Sequence, residues 1–167
     1  TLSNNLENLV LTGADNINGN GNSVDNILEG NSGSNILYGL SGNDTLYGMD
    51  KADSLYGGEG NDVLSGGLDN DTLYGEKGSD TLEGGEGNDL LVGGEGNDTY
   101  KFSGNFGSDT IKESSSGSGD LRDTIIFEDL NFEDVKFFAS GTNLIIRKYE
   151  KGVATGNQVL VYDHFNP

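Results

Sequence analysis

Through the middle of the chain, large apolar residues stand singly and recur every nine positions: Leu46, Leu55, Leu64, Leu73, Leu82, Leu91 and then Tyr100. Two places before each comes an aspartate, namely Asp44, Asp53, Asp62, Asp71, Asp80, Asp89 and Asp98. Gly39, Gly48, Gly57, Gly66, Gly75, Gly84 and Gly93 open the units, which read G-x-x-G-x-D-x-L-x. Recurrent glycine excludes an amphipathic helix, because each interior Gly costs a helix about 1 kcal/mol. The three residues around each leucine, as in Thr45-Leu46-Tyr47, alternate in and out like a very short strand, and the residues before them carry turn-forming glycines. Each unit is therefore a turn plus a strand, and two units make a coil of 18 residues. Coils stacked at the roughly 4.8 Å spacing of paired strands predict two parallel sheets with the leucines between them.

The same frame runs backwards through residues 30–38 and 21–29, with Asn35 and Asn26 where the aspartate should be. Earlier still the register slips, and Leu6 to Thr12 reads as an entry strand. After the repeats every signal is β. Strands are expected over Asp123–Phe127, Val135–Phe138, Leu144–Arg147 and Gln158–Tyr162, the last two forming a hairpin across Glu150 to Asn157. Ser114 to Gly119 has the composition of a flexible loop. Every Phe lies at or after Phe102, so the bulky part of the core is expected there. The division is 1–38 for the entry strand and asparagine-bearing repeats, 39–111 for the regular roll, and 112–167 for a C-terminal β capping module. The fold class is all-β.

Composition sharpens this picture. The chain has 167 residues, 28 of them Gly, and its 28 acidic against 9 basic side chains give a net charge of −19. Residues 1–102 hold 18 acidic and 3 basic side chains, so most of the charge sits on the repeats. Such acidity opposes nucleic acid and anionic surfaces and favours cations. With no Cys there is no disulfide or Cys-bound metal, and the lone His164 excludes any constellation of two histidines. No apolar run is long enough for a membrane span.

Stacking places the aspartates in two columns, Asp44, Asp62, Asp80 and Asp98 on one side and Asp53, Asp71 and Asp89 on the other. Carboxylates one strand spacing apart repel unless something intervenes. A hard divalent cation resolves the conflict. Calcium accepts six to eight oxygens in adaptable geometry, whereas magnesium holds its water and wants a strict octahedron. Turn-forming aspartate without a metal is the alternative, but Asn would serve a turn as well without the repulsion.

Gly57-Gly58-Glu59-Gly60-Asn61-Asp62-Val63-Leu64, the run from Gly84 to Leu91 and the run from Gly93 to Tyr100 match G-G-x-G-x-D-x-U-x in full. That pattern resembles the calcium-binding nonapeptide of the repeats-in-toxin (RTX) family. Other units depart from it: Leu40, Met49 and Glu76 replace the second Gly, and Lys51 and Asp69 replace the fourth-position Gly. The resemblance implies a parallel β-roll that binds Ca2+ through aspartate and main-chain carbonyls, in proteins secreted by the type I machinery of Gram-negative bacteria. It also implies that Tyr100 to Ile111 is the hook ending such a roll, with Asp109 joining the column of Asp89. Neighbours in the columns then pair into about six Ca2+ sites.

The function expected is that of a non-enzymatic, calcium-dependent folding module of a large secreted adhesin or other surface protein. Its partners are calcium, the secretion machinery during export and neighbouring domains, without nucleic acid or a membrane span. One alternative is a module that binds carbohydrate or a surface; the roll offers only Lys51, Lys77 and Lys101 for a polysaccharide. Another is the C-terminal roll of an RTX protease or lipase with its catalytic part upstream. Tyr38, Tyr56 and Tyr74 recur every 18 residues, which predicts rings side by side outside one sheet. They read as a stabilising ladder or domain contact, with a ligand platform as the other reading. His164 is read as structural.

Overall fold

A computed structural model of the chain describes residues 1–112, 122–130, 132–140 and 143–162. His164 and the segment Ser114 to Gly119 fall outside the described residues. Strands β1 (Asn8–Val10), β3 (Ile27–Glu29), β5 (Thr45–Met49), β7 (Val63–Leu68), β9 (Thr81–Glu86), β11 (Thr99–Phe102) and β13 (Thr124–Phe127) form one sheet of seven, in that spatial order. The facing sheet holds β2 (Gly19–Asn20), β4 (Ile36–Ser41), β6 (Ser54–Glu59), β8 (Thr72–Lys77), β10 (Leu90–Glu95) and β12 (Ser108–Lys112). It continues through β16 (Val153–Tyr162), β15 (Asn143–Glu150) and β14 (Val135–Ser140) to nine strands. One short 3-10 turn, Phe132–Asp134, precedes β14. This is a parallel β-roll.

The repeat makes the register inevitable. Leu37, Leu55, Leu73 and Leu91 lie opposite one another in successive strands of one sheet, and Leu28, Leu46, Leu64 and Leu82 do so in the other. All eight are at most 1% exposed. The core between the sheets is thus a double row of leucines, and each glycine-rich turn reverses the chain at its rim.

The end of the roll is thicker. Tyr100 takes the leucine position, and Phe102, Phe106 and Phe127 pack with ring centroids 5.2, 5.4 and 5.8 Å apart. Strand β13 adds to β11 in parallel, bringing Ile125 opposite Tyr100, and β16 adds to β12, bringing Val161 opposite Ile111. The final hairpin is longer than the sequence pattern suggests. Residues 151 and 152 alone make its turn, because Glu150 pairs with Val153 and Tyr149 with Ala154, so β16 begins at Val153 rather than at Gln158.

Candidate metal centre

Both columns form. Each aspartate sits at the end of its turn, immediately before a strand, and its Oδ1 accepts the main-chain N–H of the residue one coil earlier. In one column Asn26 N donates to Asp44 at 2.6 Å, Asp44 N to Asp62 at 2.7 Å, Asp62 N to Asp80 at 2.8 Å and Asp80 N to Asp98 at 2.9 Å. In the other, Asn35 N reaches Asp53 at 2.6 Å, Asp53 N reaches Asp71 and Asp71 N reaches Asp89 at 2.8 Å, and Asp89 N reaches Asp109 at 2.9 Å. Asp109 therefore joins the column of Asp89 although 20 residues separate them.

The second oxygen has no partner. Oδ2 of Asp44, Asp53, Asp62, Asp71, Asp80, Asp89, Asp98 and Asp109 is buried without a hydrogen bond. The eight side chains are at most 3% exposed. A buried carboxylate lacking compensation is expensive. Burial pushes the carboxyls up from 3.8, to about 6 for Asp44 and Asp89, about 7 for Asp53 and Asp80 and about 8 for Asp71 and Asp109. Asp62 and Asp98 are raised for the same reason. The amide of the preceding coil pulls each of them down, but burial outweighs it.

From Asp44 to Asp98, the space in front of each orphan is shaped by the first glycine of its unit. A methyl group on Gly57 would collide with Asp62 Oδ2 and with the main-chain oxygen of Gly75 in the next coil. Glycine thus leaves open a cradle into which a carboxylate oxygen and a carbonyl oxygen both project, with no donor between them. No group of three or more His, Cys, Asp or Glu gathers among the described residues, so an ion here would rely on paired carboxylates and main-chain oxygen. An all-oxygen set of this kind suits a hard cation.

Departures from the repeat follow the backbone. On the side of Asp44, the fourth turn positions Gly42, Gly60, Gly78 and Gly96 have φ of 114, 142, 128 and 133°, which side chains rarely tolerate. On the side of Asp53, Lys51 and Asp69 stand at φ 68 and 72°, inside the left-handed well that residues with a Cβ can enter at modest cost. Sequence reasoning missed two features. Asp123 Oδ1 accepts Asp98 N at 2.9 Å, extending the first column by one member across 25 residues, where no periodicity points to it. Outside the aspartates runs a second ladder: Asn43 Oδ1 accepts Asn61 N at 2.8 Å, Asn61 Oδ1 accepts Ser79 N at 2.7 Å, and Asn97 Oδ1 accepts Arg122 N at 2.9 Å. The recurrent Asn before Asp in the repeat was its visible trace.

Tyr38, Tyr56 and Tyr74 do stack, with centroids 4.8 and 5.0 Å apart and planes within 15° of parallel. Of the three, only Tyr56 has a ring stacked on both of its faces.

A family model of the RTX calcium-binding nonapeptide repeat, in four copies, matches residues 20–50, 38–73 and 65–100. No curated protein matches the chain. Among solved structures it is similar to the crystal structure of extracellular lipase LipA from Serratia marcescens, at 18% identity and a TM-score of 0.33. That match covers 86% of this chain and 38% of the lipase, and a likeness this weak carries no argument about activity.

Proposed function

Since residues 20–100 are RTX calcium-binding nonapeptide repeats, we propose that this chain is a non-enzymatic module that folds on meeting calcium outside the cell and so couples type I secretion to folding. The parent protein is a large adhesin or other surface protein. The eight orphaned, buried Oδ2 atoms carry the reading. They make the folded roll electrostatically incomplete by itself, so the chain's net charge of −19 holds it expanded where calcium is scarce. An expanded chain can be threaded through an export channel.

Asp44 with Asp62, Asp62 with Asp80, Asp80 with Asp98, Asp53 with Asp71, Asp71 with Asp89 and Asp89 with Asp109 are the pairs assigned to Ca2+. Asp98 with Asp123 is added as a seventh. Calcium would supply the positive charge that the facing carboxylate and carbonyl oxygens lack. The residues hold those oxygens in place: glycine opens the cradle, and each coil's amide pins the Oδ1 of the next. At about 1 mM calcium and a dissociation constant near 0.1 mM, each site adds about 1.4 kcal/mol. Six such sites reach roughly 8 kcal/mol, the whole stability of an ordinary domain.

Far-UV circular dichroism of the chain with calcium, with magnesium and with chelator tests the proposal. It expects a β spectrum in calcium alone near neutral pH. A full β spectrum in chelator, or magnesium serving equally well, would refute it.

A further inference from the structure

The two turns that lack aspartate follow a different hydrogen-bond plan from those that carry it. In an aspartate turn the second residue takes positive φ, as at Leu40 (86°) and Gly58 (116°), and one carboxylate oxygen is orphaned. In the turns that end at Asn26 and Asn35 the second residues are Asn22 and Asn31, and neither takes positive φ. Each closes an Asx turn on itself, Asn22 Oδ1 accepting Val24 N at 3.0 Å and Asn31 Oδ1 accepting Gly33 N at 2.8 Å. The oxygen position that is empty-handed elsewhere is satisfied here. Asn26 Oδ1 accepts Asn22 N, and Asn35 Oδ1 accepts Asn31 N, both at 2.8 Å.

The amide nitrogens then point donors into the preceding coil. Asn22 Nδ2 donates to the main-chain oxygens of Ser3 at 2.9 Å and Leu6 at 2.8 Å, and Asn26 Nδ2 donates to Leu6 at 3.3 Å. On the other side Asn31 Nδ2 reaches Thr12 at 3.4 Å and Asp15 at 3.1 Å, and Asn35 Nδ2 reaches Ile17 at 2.7 Å. All four side chains are 2–6% exposed, and none of their polar atoms is orphaned. A carboxylate can only accept, so stacked aspartate turns face one another with oxygen alone. A carboxamide accepts and donates at once, so an asparagine turn needs nothing between it and the coil before it.

We propose that residues 3–35 form a metal-free end of the roll, in which the side-chain amides of Asn22, Asn26, Asn31 and Asn35 join the coils in place of a cation, and that calcium loading stops at Asp44 and Asp53. This end still keeps register with the loaded coils, because the main-chain amides of Asn26 and Asn35 both donate at 2.6 Å to the first two aspartates. It is a template edge whose own hydrogen bonds involve no cation in the folded roll. The inference rests on calcium uptake by the aspartate turns. Failure of that reading would appear as no uptake by the unaltered chain, whereas failure of the present one appears in the variant below.

The test is the double variant Asn26→Asp, Asn35→Asp in the full chain at saturating calcium, compared with the parent by calorimetric titration and thermal melting. If these turns were merely weakened calcium sites, restoring the carboxylates would add bound ions and raise the midpoint. The amide-bridged end predicts the reverse: an unchanged ion count and a midpoint lower by about 5 °C or more, because two buried carboxylates now face main-chain oxygens such as those of Leu6 and Ile17. Should the variant not fold, the unaltered calcium-loaded chain decides the matter. The side-chain amide protons of the four asparagines, followed by nitrogen-15 NMR, should exchange slowly with solvent. Additional ions, an unchanged or raised midpoint, or rapid exchange of those amides would overturn the proposal.

Discussion

The asparagine turns and the aspartate turns occupy the same solenoid and feed the same leucine rows, Leu28 and Leu37 in one set and Leu46 to Leu91 in the other. They differ by whether a nitrogen or an oxygen ends the side chain. With nitrogen, as at Asn35, a donor meets the Ile17 carbonyl at 2.7 Å and the turn closes within the chain. With oxygen, as at Asp80, burial without a donor leaves Oδ2 without a partner, and that is the oxygen assigned to calcium in the proposed function. Core packing is therefore common to both regions, and the difference between them lies in how the polar groups at the rim are satisfied.

Acidification should reveal this most strongly. Burial raises Asp44, Asp53, Asp71, Asp80, Asp89 and Asp109 to about 6 to about 8 against an unfolded 3.8, and raises Asp62 and Asp98 in the same direction, so the folded roll binds more protons than the unfolded chain between those limits. Without calcium, stability is then fully present below 3.8 and lost as pH rises through about 6 to 8. In chelator the β spectrum should grow between about pH 8 and pH 5, while in limiting calcium protons compete for the same oxygens and acid should weaken binding. A chelated sample equally unfolded at both values would break the distinction between the two kinds of turn.

Asp80→Ala comes next, since Asp80 belongs to two pairs. It should cost about 3 kcal/mol at 1 mM calcium, and the gap to the parent chain should widen by roughly 2.7 kcal/mol for each tenfold rise in calcium. Asn26→Ala strips partners from Asn22 N and the Leu6 oxygen, at a cost of about 1–3 kcal/mol. That gap should stay constant across the same calcium series. Parallel behaviour of the two variants in thermal melts would erase the difference.

The smallest effect belongs to Lys51→Gly. At φ 68° a side chain is strained relative to glycine by about 1 kcal/mol or less, and removing an ammonium near the column of Asp53 acts in the same direction. Calorimetric titration should show the weakest class of sites tightening a few-fold. An unchanged isotherm would mean that the turn holds Lys51 without strain and that its charge points away.

Much of the rim was readable beforehand because a repeat converts sequence separation into distance. Asp44 and Asp62 are 18 residues apart and one coil apart, and the same arithmetic holds for Leu46 and Leu64 or Tyr56 and Tyr74. Asp109 is not reached by that count but by the resemblance of Tyr100 to Ile111 to the hook of an RTX roll, a last turn with two extra residues. Asp123 is reached by neither, because the intervening segment has no period to count along. The length of β16 was also missed, since turn-like Gly156 and Asn157 hide the pairing of Val153 with Glu150 and Ala154 with Tyr149 that lies before them.

What the sequence determined by itself is whatever recurs: the two sheets, the leucine rows, the two aspartate columns and the tyrosine stack. Each of these needs only a constant number of residues per coil. Only the tertiary structure decided which groups satisfy one another where that constancy ends. It showed Asn22 and Asn31 folding their amides into the preceding coil, where the sequence records only that charge is missing. It also brought β13 and β16 onto the end of the roll, where Ile125, Val159 and Val161 extend the core. These choices turn on the direction of single hydrogen bonds and the closure of loops of unequal length, quantities that are not local to any stretch of chain.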